Sequence, residues 1–131
     1  MNIYVLCSAI LVILYFLLSF NVSMNRAQSK IGVGTDNLPS GSLNKSIRAQ
    51  GNASEYIPVL VVMFLYFNSV GATGWIEWVV IAVTVCRILH PLGMYLSPDL
   101  NKPQAFRFAG ALGTYFGGLL LGVAMVYRAW H

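Results

Sequence analysis

Charge is what this chain has least of. Of 131 residues, four are Asp or Glu and eight are Lys or Arg, so 9% are charged, against about 25% in an ordinary soluble domain. Hydrophobic residues make up 57%, which leaves too little polar surface to keep a globule in water. Cysteine is also scarce. Cys7 and Cys86 both sit within apolar stretches, so neither a disulfide framework nor a metal site is indicated. The net charge of +4 comes without a basic cluster or a basic–aromatic stripe, which argues against a nucleic-acid partner. The Gly32-x-Gly34 pair has no Gly-Lys-Ser/Thr after it and reads as turn glycines rather than a phosphate loop.

What the chain does have is long apolar runs. A membrane-crossing helix needs about 20 predominantly apolar residues. Four candidate spans, at 3–20, 46–70, 75–96 and 104–130, use most of the sequence and define an all-α integral membrane protein with a single membrane domain over 1–131. The first span carries no charge, lacks the basic start of a secretory signal and has no small-residue cleavage site after it, so it is expected to stay as a helix. A polar connection over 21–44 contains Gly32, Gly34, Pro39 and Gly41, and its length marks it as a candidate functional loop. Short turns are expected over 68–74 and 97–103. Pro58 and Pro91 fall inside the second and third spans and are expected to bend them.

Basic residues set the expected orientation. Arg26, Lys30, Lys45 and Arg48 flank or occupy the first connection, and Lys102 and Arg107 the third, whereas only Arg128 lies at the opposite end. Lys and Arg accumulate on the cytoplasmic side, so both termini are expected outside the cytoplasm. Tyr4, Trp75, Trp78 and Trp130 would then lie at the outer interface, where amphipathic rings prefer to sit. Glu77, between two of these tryptophans, reads as a solvated headgroup-level charge, and His131 as a solvated terminus.

Ionisable groups inside a membrane segment are costly and mark a function or a partner. Arg48, Asn52 and Glu55 are spaced i, i+4 and i+7, on one helical face. Arg87 and His90, at i and i+3, share another face, and Arg107 opens the last span. All fall in the half of the bundle nearest the first and third connections. One reading is structural: Glu55 neutralises Arg48 or Arg87, and Asn52 bonds a neighbouring backbone. The other is a ligand site. Its excess of arginine suits carboxylates, which guanidinium matches with paired hydrogen bonds, while Glu55 would take an ammonium. A small zwitterion with surplus carboxylate fits that balance. The last span also holds Gly113-x-x-x-Gly117 and Gly118-x-x-x-Gly122, the small-residue spacing of close helix packing, within a subunit or between subunits.

The stretch Arg48-Ala-Gln-Gly-Asn52-Ala-Ser-Glu55-Tyr-Ile-Pro58 resembles the second-helix signature of the MAPEG family, the membrane-associated proteins in eicosanoid and glutathione metabolism. Arg87-Ile-Leu-His90 resembles that family's third-helix motif, and the chain is most similar in form to small bacterial members. The resemblance implies a left-handed four-transmembrane-helix bundle in the bacterial inner membrane, assembled as a homotrimer surrounded by lipids, with glutathione as co-substrate and no metal. Glutathione would bind between neighbouring subunits through Arg48, Asn52, Glu55 and His90. Arg26 would hold a carboxylate from the adjacent subunit. The tyrosine expected one turn after His90 falls at Met94, with Tyr95 beside it as the substitute. Arg107 falls where the family places an arginine near the thiol. Gly51, Phe108 and Ala111 depart from positions that carry a basic residue, a serine and a tyrosine in other members, so prostaglandin-type isomerase chemistry is not implied.

The implied activity is a transferase or peroxidase in which Arg107 favours the glutathione thiolate, which then attacks a lipophilic electrophile from the bilayer. The alternative is a non-enzymatic membrane protein whose polar cluster is structural or binds another anionic metabolite. Small proton-coupled exporters match only in size and span count: they need an acidic group in the first helix, and none is present here.

Overall fold

Asn2 starts the first helix by accepting a hydrogen bond from Val5 N at 3.1 Å, which satisfies one of the free amides of the first turn. In the computed structural model, which describes residues 1–130, four helices follow one another: α1 (Ile3–Ser29), α2 (Ser42–Ser69), α3 (Trp75–Leu96) and α4 (Ala105–Trp130). The expectation for His131 lies outside the described residues.

The helix α1 runs nine residues beyond the expected end at position 20. The apolar run stops there, but no glycine or proline breaks the chain before Gly32. The polar residues of the extension turn their side chains onto the helix itself: Ser23 donates to Ser19 O, Asn25 to Asn21 O and Ser29 to Asn25 O. Lys30, in the left-handed conformation at φ 58°, ends it. The first connection is therefore much shorter than the polar segment read from sequence. Both α2 and α3 remain helical through Pro58 and Pro91.

Burial follows helical periodicity. Ala49, Ala53, Ile57, Leu60, Phe64 and Phe67 form one inward stripe of α2 and meet Leu11 of α1, Val80 and Val83 of α3 and Leu121 of α4. α1 packs mainly on α2 and α3 mainly on α4, whereas α2 and α4 barely touch. The α3–α4 contact depends on small residues. A Cβ at Gly110 would lie 2.7 Å from both Cys86 O and His90 N, and one at Gly113 or Gly117 would collide with the Cys86 or Val83 side chain. Gly118 and Gly122 face open space, so of the two Gly-x-x-x-Gly pairs only the first serves packing within the chain.

Large apolar side chains such as Phe16, Leu17, Val62, Phe116 and Leu119 point outward, the arrangement a lipid solvent favours. α1, α3 and α4 are long and apolar enough to cross a membrane. α2, 28 residues long, has an apolar second half, while its first half carries Lys45, Arg48, Asn52 and Glu55. The first and third connections meet at one end of the bundle, where Leu100 N donates to Pro39 O at 3.0 Å and Lys45 Nζ to Ser97 O at 2.7 Å. At the other end Tyr4 Oη donates to Ala72 O at 2.8 Å. Glu77, read as a headgroup-level charge, accepts from Gly74 N at 3.3 Å and so caps the first turn of α3.

Candidate functional site

α2 and α4 touch little, and near the end where the two connections meet they line a partly open cavity of about 960 Å3, at the upper end of the range usual for small-molecule sites. α2 supplies one wall through Arg48, Asn52 and Glu55, and α4 the other through Arg107, Phe108 and Ala111. His90 and Met94 of α3 form the back, and Pro39, Leu100 and Pro103 of the connections cover the top. The i, i+4, i+7 spacing thus brings Arg48, Asn52 and Glu55 onto one surface with His90 and Arg107.

These groups differ in how they are held. Arg48 and Glu55 are exposed and, among the described residues, make no hydrogen bond or ion pair. The sequence-based alternative of a Glu55 salt bridge to Arg48 or Arg87 is therefore not realised. Both side chains remain available to a ligand, one as cation and one as anion. Asn52 bonds a side chain rather than a backbone: its Oδ1 accepts from Arg87 Nη2 at 2.6 Å. Arg87 is 1% exposed and lies behind the cavity wall, its guanidinium carbon 5.2 Å from the Tyr56 ring centroid. Its Nε and Nη1, and Nδ1 of His90, are buried without a partner.

Arg107 makes the most hydrogen bonds of these residues. Its Nη1 donates to Leu100 O at 2.9 Å and its Nη2 to Lys102 O at 3.1 Å. Its own amide donates to Gln104 Oε1 at 2.7 Å, which caps the start of α4. Arg107 thus lines the cavity while its guanidinium braces the third connection.

Arg26 and Tyr95 are not among the cavity-lining residues of this chain. Arg26 Nη1 donates to the carbonyls of Ile31, Gly32 and Gly34 at 3.3, 3.2 and 3.0 Å, gathering the first connection around it. Tyr95 Oη accepts from Asn21 Nδ2 at 2.7 Å, and Asn21 and Asn25 both donate to Ser46 Oγ. This network joins the end of α1 to α2 and α3.

Two aromatic residues were missed in the sequence. Tyr56 lies one turn beyond Asn52 on the same face, and its ring meets Tyr115 of α4 with centroids 5.6 Å apart, a contact between two helices that touch little. The spacing could have pointed to both: Tyr56 extends the Arg48–Asn52 row, and Tyr115 extends the Arg107–Ala111 row. Cys7 and Cys86 are free thiols. No cluster of three metal-ligating side chains is found among the described residues.

An apolar bundle with membrane-length helices defines an integral membrane protein, and charged and polar side chains line part of the cavity at one end of it. The MAPEG family model matches residues 4–127, and the chain belongs to that family. It is 28% identical over 130 residues to the inner membrane protein YecN in two Escherichia coli strains, the match covering 98% of this chain and 92% of YecN. No solved structure matches the chain.

Proposed function

We propose that the cavity between α2 and α4 binds glutathione and that the protein is a glutathione-dependent transferase or peroxidase acting on lipophilic electrophiles. The observation that carries this reading is the convergence of an unpaired cation, Arg48, and an unpaired anion, Glu55, on one cavity with Asn52, His90 and Arg107. Glutathione has two carboxylates, one ammonium and a thiol. Arg48 suits a carboxylate, Glu55 the ammonium, and Asn52 an amide or carboxylate oxygen. A free thiol has a pKa of about 8.5, and a neighbouring guanidinium favours its charged form. Among the cavity residues, Arg107 would take that role. The thiolate would attack an electrophile that reaches the cavity from the bilayer past the apolar side chains of Phe108 and Ala111.

Arg26 and Tyr95 take part in this reading only from a neighbouring copy, since they lie outside the cavity of their own chain. A homotrimer with sites between subunits accommodates them. Membrane placement follows the basic residues: the cavity end faces the cytoplasm, both termini lie outside it, and the inner membrane is the location.

Isothermal calorimetry on detergent-purified protein tests the reading. Glutathione is expected to bind the parent and to bind Arg48→Ala and Glu55→Ala at least tenfold more weakly. A folded parent that binds none overturns it. One observation favours a second reading, a non-enzymatic membrane protein: Arg107 already has two carbonyl partners. Glutathione binding without turnover of any lipophilic electrophile would decide for that alternative.

A further inference from the structure

We infer that Arg87 is a positioning residue: it holds Oδ1 of the Asn52 side-chain amide, so that Nδ2 is left to the cavity as an N–H donor at that point. An arginine side chain carries donors only. The 2.6 Å contact between Arg87 Nη2 and Asn52 therefore has to be made by Asn52 Oδ1, and turning the amide over would set an NH2 group against a guanidinium. Arg87 has little room to move. It is 1% exposed, with its guanidinium over the Tyr56 ring. Asn52 Nδ2 makes no hydrogen bond among the described residues and is not one of the buried unpartnered atoms, and Asn52 lines the cavity. Nδ2 is thus the end of the amide offered to a ligand.

Successive turns of α2 then present a cation at Arg48, a neutral donor at Asn52 and an anion at Glu55. This order sets the direction of a bound zwitterion: carboxylate towards Arg48, a hydrogen-bond acceptor at Asn52, ammonium towards Glu55. The ligand named here rests on the proposed glutathione site. The Arg87–Asn52 link does not, because it is a property of the protein alone.

Arg87 is also a buried cation with two unpartnered nitrogens. Asn52→Asp keeps the shape of the side chain, gives Arg87 a counter-ion and removes the donor from the cavity. A positioning role and a merely structural one then diverge. Asn52→Asp is expected to raise the melting temperature in detergent by several degrees while glutathione affinity falls tenfold or more. The rise is expected to disappear in an Arg87→Met background. Arg87→Met alone is expected to weaken glutathione binding, yet to change nothing further once Asn52 is Ala. Arg87→Lys keeps a donor and a charge, and serves if Arg87→Met does not fold.

A melting temperature unchanged or lowered in Asn52→Asp, or raised equally without Arg87, overturns the link. Equal weakening of binding by the Arg87 substitution in the Asn52 and Asn52→Ala backgrounds overturns the positioning role. A parent that binds no glutathione overturns the preceding functional reading instead, and the melting series alone then decides whether Arg87 sets the amide.

Discussion

Arg107 Nη1 donates to the carbonyl of Leu100 across 2.9 Å, and the companion bond from Nη2 reaches Lys102 O. One guanidinium therefore holds the third connection in place at the mouth of the cavity that it lines. Bracing the loop and favouring a thiolate draw on the same donors, and substitution can tell the two apart.

Arg107→Ala is expected to slow turnover more than it weakens glutathione binding. A hydrogen bond to a charged group is worth about 1.5–3 kcal/mol, so the loss in turnover should be roughly tenfold to a hundredfold. Steady-state kinetics beside calorimetry would read it. Equal losses in both would make Arg107 a binding residue only. Arg107→Lys retains the charge but not the forked geometry, and should fall between the parent and Arg107→Ala.

Stability should respond differently at the α2 face. Arg48 and Glu55 are exposed and have no intramolecular partner, so nothing in the fold is lost when either is truncated. Substitutions at such positions usually change stability by no more than about 0.5 kcal/mol. Arg48→Ala and Glu55→Ala are therefore expected to melt with the parent while their glutathione binding falls. A large drop in melting temperature would mean that these side chains support the bundle instead.

The limits of the sequence reading have physical causes. α3 was legible to the residue, because Gly74 precedes a run that is mostly apolar despite Glu77, Arg87 and His90, and Leu96 ends it. The length of α1 was not, because its last turns are held by side-chain bonds to the helix and by the Asn21–Ser46 and Asn25–Ser46 contacts, which hydropathy does not register. The shared face of Arg48, Asn52 and Glu55 follows from helical spacing alone, so it was visible in advance. The partners of Arg107 and Arg26 were not: both bond backbone carbonyls of loops, whose path depends on where the helices bring the ends of those loops. The same holds for the Asn52–Arg87 bond, which joins residues 35 positions apart.

Two glycines of α4 provide a paired comparison. A methyl group at Gly110 would press on backbone atoms of Cys86 and His90, whereas one at Gly118 meets nothing in the chain. Overpacking of this kind costs about 1–3 kcal/mol, while glycine to alanine in an unobstructed helix gains up to about 1 kcal/mol. Gly110→Ala should lower the melting temperature and Gly118→Ala should leave it level or raise it. A loss at Gly118 would point to a second copy packed on that face.

The site between subunits makes the most demanding prediction, because Arg26 and Arg48 of one chain do not share a cavity: Arg48 lines it, while Arg26 gathers the carbonyls of Ile31, Gly32 and Gly34. If Arg26 completes a neighbour's site, Arg26→Ala and Arg48→Ala should each weaken glutathione binding tenfold or more as homo-oligomers. Co-expression of the two variants should then recover some high-affinity sites, since an Arg26 from one chain can meet an Arg48 from the other. Two differently tagged chains, purified through both tags and titrated with glutathione, provide the measurement. Recovery of tight binding in the mixed oligomer requires a site built from two chains. Absence of recovery in oligomers that do contain both variants confines the site to one chain, and leaves Arg26 as a brace for the first connection.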